Sequence, residues 1–139
     1  MLMNTNDNLL EMIAAAMVAQ KKSVRAYEIM VTAAPSQRDK ELLRTIRREE
    51  RRHYYFLEGI YEDLTGEQVK LQRVAISMPK FYPDMLKTAI CDKLEVIDHL
   101  ELIVKAMNCV RQQELMEIII SDQKEHARIL ASIYGRIGK

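Results

Sequence analysis

The stretch Arg48-Glu49-Glu50-Arg51-Arg52-His53 decides the fold, because two of its residues stand where apolar ones are expected. Leu42/Leu43, Ile46, Leu57, Ile60/Tyr61 and Leu64 recur at helical spacing. Glu50 falls in that stripe one turn after Ile46, and His53 one turn before Leu57. Spaced i, i+3 on a helix, a carboxylate and an imidazole share one face and can reach one ion. An inward carboxylate is costly unless paired, hydrogen-bonded or metal-bound. The rest of the chain has to supply what Glu50 and His53 face.

Composition narrows the classes. A chain of 139 residues suits one domain, 1–139, with one core. Hydrophobic residues at 48% and charged residues at 29% describe an ordinary soluble globular protein. Only four Gly and three Pro favour long helices with few turns, and nine Met without Trp favour an adaptable aliphatic interior. A net charge of +1 gives no global field towards nucleic acid or membrane, so neither is an expected partner. Arg44, Arg47, Arg48, Arg51 and Arg52 form a local basic run, balanced by Glu41, Glu49 and Glu58. It reads as a solvated helix face, with anion or partner binding as the alternative.

Cys91 and Cys109 lack CxxC spacing and read as small half-buried residues in a reducing, cytoplasmic setting. The amino terminus lacks the basic start of a secretory signal, and Leu9 to Ala19 is too short and interrupted to span a membrane.

Four helices are expected. The capping-rich run Asn4 to Asn8 opens the first at Asn6 or Asp7, and Ile13, Met17, Gln20, Val24, Tyr27 and Val31 trace its stripe to about Ala33. Ser36 caps the second, which runs from about Gln37 to Leu64 and stops at Gly66. Pro79 and Pro83 close an irregular crossover. The third helix runs from about Asp84 to Met107, with Leu86, Ala89/Ile90, Lys93, Ile97, Leu100 and Val104 inward. The fourth covers about Val110 to Tyr134 and ends at Gly135. Its stripe is Leu115, Ile119, Gln123, His126, Leu130, Ile133 and Ile137. His99 falls beside the third stripe and carries little signal, while Tyr54 and Tyr55 suit packing at a dimer face.

A shift of 73 residues superposes the second half on the first without gaps: Ile46 on Ile119, His53 on His126, Leu57 on Leu130, Ile60-Tyr61 on Ile133-Tyr134. The same shift places Gln20 on Lys93 and Glu50 on Gln123. Duplication of a helical hairpin explains the coincidence of turns and interior histidines. The expected fold is therefore all-α, an antiparallel four-helix bundle of two repeated hairpins (about 6–65 and 83–137) joined by one long crossover (about 66–82).

On Ala26-Tyr27, Arg48 to His53, Tyr61 to Gly66 and Asp122-Gln123-Lys124-Glu125-His126, the chain resembles the rubrerythrin branch of the ferritin-like superfamily. The likeness extends over nearly the whole chain, without a cysteine-rich rubredoxin-like segment, and implies the bundle but not a peroxidase electron chain. It implies a dimetal layer in which Glu50, His53 and His126 keep the family's ligand types. Three positions depart from the pattern: Gln20, Lys93 and Gln123 stand where the resemblance implies carboxylates. Asp92, Glu95, Asp122 and Glu125 all fall off the inward stripes.

One carboxylate and one ammonium in that layer sum to zero without metal, so no cofactor is expected. A single zinc or iron, on Glu50 with His53 or on Glu50 with His126, is the alternative, since the two histidines come from opposite helices and flank separate positions. The expected protein is a non-catalytic structural or interaction module, pairing as a homodimer or with a protein partner. The alternative is a metal-binding protein or a diiron-type oxidoreductase acting on dioxygen or peroxide.

Overall fold

The computed structural model describes residues 5–137, with side chains from Asp7 onward. Its elements are α1 (Thr5–Ala33), α2 (Gln37–Thr65), α3 (Tyr82–Ala106) and α4 (Val110–Ile137). Backbone is already helical at Thr5, so Asp7 lies inside α1 rather than capping it; Asn4 falls outside the described residues. Ser36 caps α2 as expected, its hydroxyl accepting from the Asp39 amide at 3.1 Å. Gly66 ends α2 in the left-handed region at φ 71°, its amide donating to the Glu62 carbonyl. At the end of α1, the Lys40 ammonium donates to the Val31 carbonyl at 2.7 Å and satisfies a group the helix leaves open.

α1 packs on α2 and α3, and α4 packs on α3 and α2, so the helices occupy the corners of a square with α1 opposite α4. α2 and α3 begin at the same end, since Asp39 on α2 accepts from the Tyr82 hydroxyl at the start of α3. The crossover must therefore return the full length of the bundle. Twenty-nine helical residues span roughly 43 Å. The sixteen residues from 66 to 81 reach about 53 Å when extended, so this segment has little slack and forms no helix. That is why the expected fold, two hairpins and one long crossover, needs an irregular connection.

Two apolar clusters fill the square. One gathers residues such as Ile13, Met17, Leu57, Leu100 and Ile119; the other gathers Tyr27, Leu43, Ile46, Leu86 and Leu130. Several expected inward positions shift by one residue. Ile103 and Met116 are buried where Val104 and Leu115 were expected, and Met30 replaces Val31. Val24 is half-buried, and Leu64 is 40% exposed at the fraying end of α2. Long straight helices drift slowly against a fixed stripe, which moves contacts by one position near their ends. Cys91 and Cys109 are exposed rather than half-buried. α3 starts at Tyr82, two residues earlier than expected, because Pro83 suits the first turn and the Tyr82 ring is buried. α4 continues through Gly135 to Ile137, although glycine costs about 1 kcal/mol in a helix. Tyr134 and Ile137 pack on the second cluster and hold that last turn.

Asp39, 1% exposed, ties three elements together at this end of the bundle. It accepts from Tyr82 at 3.3 Å and from the Arg136 guanidinium at 2.8 Å. Arg136 is substantially exposed, so the pair is partly screened. Replacing Asp39 with Ala should lower unfolding stability by about 2 kcal/mol, read as the urea midpoint. A change within a few tenths would show that these bonds carry no net stability.

Candidate functional site

Between the two apolar clusters lies a layer of six polar side chains, one or two from each helix: Gln20, Glu50, His53, Lys93, Gln123 and His126. All six are buried. The structure brings together every residue that the sequence singled out. The apolar turns above and below them fix their inward direction, since each sits on its helix's buried stripe.

Glu50 is the hub. Its Oε1 lies 3.0 Å from the Lys93 ammonium and accepts from the Gln123 amide at 2.7 Å. Its Oε2 accepts from the Ser23 hydroxyl at 2.7 Å. Lys93 also donates to Gln123 Oε1 at 2.6 Å and lies over the Tyr27 ring, 5.2 Å from its centroid. The imidazole Nδ1 atoms of His53 and His126 both lie 3.3 Å from Glu50 Oε1. Their outward nitrogens face carboxylates across the bundle: His53 Nε2 lies 2.8 Å from Asp122, and His126 Nε2 lies 2.6 Å from Glu49.

Those two pairs obey the internal repeat, because Glu49 and Asp122 coincide under the same shift of 73 residues. Each hairpin lends the other's histidine a carboxylate. With Nε2–H donated outward, each Nδ1 lone pair faces inward, the orientation that outer carboxylates impose on ligating histidines. Gln123 donates to His53 Nδ1 at 3.2 Å. His126 Nδ1 has no hydrogen-bond donor, and its contact with Glu50 is poorly aligned.

Sequence reasoning missed three residues here. Asp122 was set aside as off the stripe, yet it is only about one-third exposed and reaches His53. Glu49 was read as balancing the arginines. The repeat carried the signal for both, in the acid immediately before Glu50 and before Gln123. Ser23 aligns with Val96 in the repeat and left no such trace. His99 is half-buried, and its Nε2 lies 3.1 Å from the Met12 carbonyl. The arginine run is largely a solvated face, with Arg44 paired to Glu41 and Arg47 to Glu28.

Electrostatics follow from these distances. Burial alone would raise the Glu50 carboxyl, but the Lys93 ammonium 3.0 Å away holds it well below the usual carboxylate range. Burial lowers the Lys93 ammonium, and Glu50, Asp92 and Glu49 restore it only in part. The layer fits a two-metal centre poorly. It offers one carboxylate, and an ammonium already sits against it. A divalent ion about 4 Å from that ammonium would be repelled by on the order of 8 kcal/mol at an effective dielectric near 20. Among the described residues, no three His, Cys, Asp or Glu side chains are disposed to hold one ion.

The charge balance has a pH signature. Glu50 has a depressed carboxyl, so its stabilisation is present above about pH 4.5 and is lost as pH falls towards its folded value. Replacing Lys93 with Met leaves Glu50 without its cation and should cost about 3–5 kcal/mol at pH 7. Without the ammonium, burial raises the Glu50 carboxyl, and the folded variant takes up a proton there. A raised folded pKa gives stability present below the unfolded value and lost as pH rises. Relative to the parent, the variant should therefore gain stability between pH 8 and pH 5, measured by urea unfolding. A parallel pH dependence of the two proteins would contradict the pairing.

No protein-family model and no curated protein sequence matches the chain. Solved structures do. A ferritin-like, diiron-carboxylate protein from Bacillus anthracis str. Ames is similar over 96% of this chain and 99% of its own, with 16% identity and a TM-score of 0.82. Desulfovibrio desulfuricans bacterioferritin, described with a diiron site, matches 99% of this chain and 85% of its own, with 18% identity and a TM-score of 0.75. A two-domain protein from Anabaena variabilis, with DJ-1/ThiJ/PfpI-like and ferritin-like domains, matches 97% of this chain at 17% identity and a TM-score of 0.79. This chain spans 38% of that protein's length. The helix order, the single long crossover and these neighbours agree: the chain has the ferritin-like four-helix-bundle fold.

Proposed function

We propose that this chain is a non-catalytic structural or interaction protein whose dimetal-type layer is closed by its own ammonium group. The observation that carries the reading is the Lys93 Nζ, 3% exposed as a residue and 3.0 Å from Glu50 Oε1. Lys93 supplies positive charge in the layer, and Gln123 bridges it to the same carboxylate. A metal is therefore not required to neutralise Glu50. The paired histidines with crossed outer carboxylates are the inheritance of a metal-binding ancestor, which the diiron descriptions of two neighbours support. Such a bundle pairs with a second copy through a helix face, and Leu94, Leu102 and Ile118, each more than half exposed on α3 and α4, support that arrangement. No helix of the described residues is long and apolar enough to cross a membrane.

A second reading rests on His126 Nδ1, buried without a hydrogen-bond donor and facing Glu50. A single zinc or other late first-row ion on Glu50 and an imidazole would occupy that lone pair. Elemental analysis separates the two. Protein purified without added metal, then titrated with ferrous or zinc ions, should bind neither stoichiometrically. One tightly bound ion per chain would favour the second reading. Changing Lys93, Gln20 and Gln123 together to Glu should create iron binding, detected by the same analysis. A well-folded triple variant that ignores iron would sink the ancestral assignment.

A further inference from the structure

A cavity of about 360 Å³ opens between α1 and α3, and residues 75–78 of the crossover lie across it. Its volume is at the low end of small-molecule sites. Ala19, Ala26, Ala75, Ile76, Met78 and Ala89 give it mostly apolar walls, and Gln20, Glu50 and Lys93 reach it from the polar layer.

The polar groups there are not equally engaged. Glu50 is saturated by Ser23, Lys93 and Gln123, and Lys93 is held by Glu50 and Gln123. Gln20 is different. It is 1% exposed, its Oε1 is buried without a partner, and its amide makes no hydrogen bond to any described residue. A buried polar group left without a partner is destabilising, and a bound molecule offering an N–H to Gln20 Oε1, reached by a small turn of that side chain towards the cavity it lines, would meet it.

Charge selects the head of that molecule. A carboxylate would meet Glu50, and Asp92 and Glu95 with it outnumber Lys22 and Lys93 on the lining. The same negative surroundings add to burial in raising the Tyr27 hydroxyl, so Tyr27 stays protonated. An ammonium head at Gln20 would sit beside Lys93. A neutral head meets neither penalty. A primary amide complements Gln20 best, donating to Oε1 while accepting from Nε2, and the walls suit a short aliphatic tail.

We propose that this cavity binds a small, neutral, aliphatic molecule with an N–H-donating head, a primary amide by best complement, held by Gln20 beneath crossover residues 75–78. The proposal is independent of whether the layer holds a metal, and metal content does not enter its test.

The probe is hexanamide, titrated into the full chain and followed by amide NMR. Saturable shifts are expected at the Gln20 side chain and at residues 75–78. Hexanoate and hexylammonium should bind at least about tenfold more weakly, a difference of about 1.4 kcal/mol. Gln20→Leu, which keeps the volume and removes the amide, should weaken hexanamide by a similar factor. Ala75→Trp, on an exposed crossover position, should plug the cavity and abolish the shifts without touching the helix core. The proposal is overturned if hexanamide gives no saturable shift, which would mean that Gln20 meets only water. It is equally overturned if hexanoate binds as well, or if Gln20→Leu binds hexanamide unchanged.

Discussion

The rest of this bundle depends on one buried contact, the ammonium of Lys93 against the carboxylate of Glu50. The clusters directly above and below it are apolar, so the layer between them must neutralise itself or attract a cation. Glu50 collects hydrogen bonds from α1 through Ser23 and from α4 through Gln123, and its positive partner comes from α3. One side chain on α2 thereby fixes the register of all four helices. Such a network adds little stability over a well-packed apolar layer. What it does is penalise every arrangement that leaves Glu50 alone.

The histidines carry the internal repeat into the layer. Each is oriented by an acid from the opposite hairpin, and each turns its inner nitrogen towards Glu50. In the reading proposed above, duplication made this symmetry and later substitution left the layer a single carboxylate, Glu50. Gln20 and Lys93 occupy equivalent positions, yet one is unpaired and the other carries the counter-charge. That asymmetry links the layer to the cavity that both residues line: Lys93 is satisfied there, and Gln20 Oε1 is not.

Much of this was legible in the sequence. Glu50 and His53 inside an apolar stripe announced a polar layer, and the shift of 73 residues located Lys93, Gln123 and His126 on the facing helices. Ser36, Gly66 and the two prolines marked the turns, because capping and ring chemistry act locally. What the sequence hid was lateral reach. Asp122, Glu49 and Ser23 lie beside the stripes, and only the spacing between helices shows that their side chains arrive. Asp39 was hidden for the same reason, its partners being 43 and 97 residues away. Helix ends were also misjudged where tertiary packing overrode a local signal, as at Gly135. The cavity could not be foreseen, since it depends on the path of a crossover stretched along the bundle.

In the proposed reading, Lys93 supplies the positive charge of the layer. A crystal structure of protein prepared without added metal, with anomalous diffraction recorded at the iron and zinc edges, tests it most directly. The account predicts no anomalous peak beside Glu50 and an ammonium about 3.0 Å from Glu50 Oε1. A peak between Glu50 and the imidazoles, with Lys93 swung into the cavity, would contradict it.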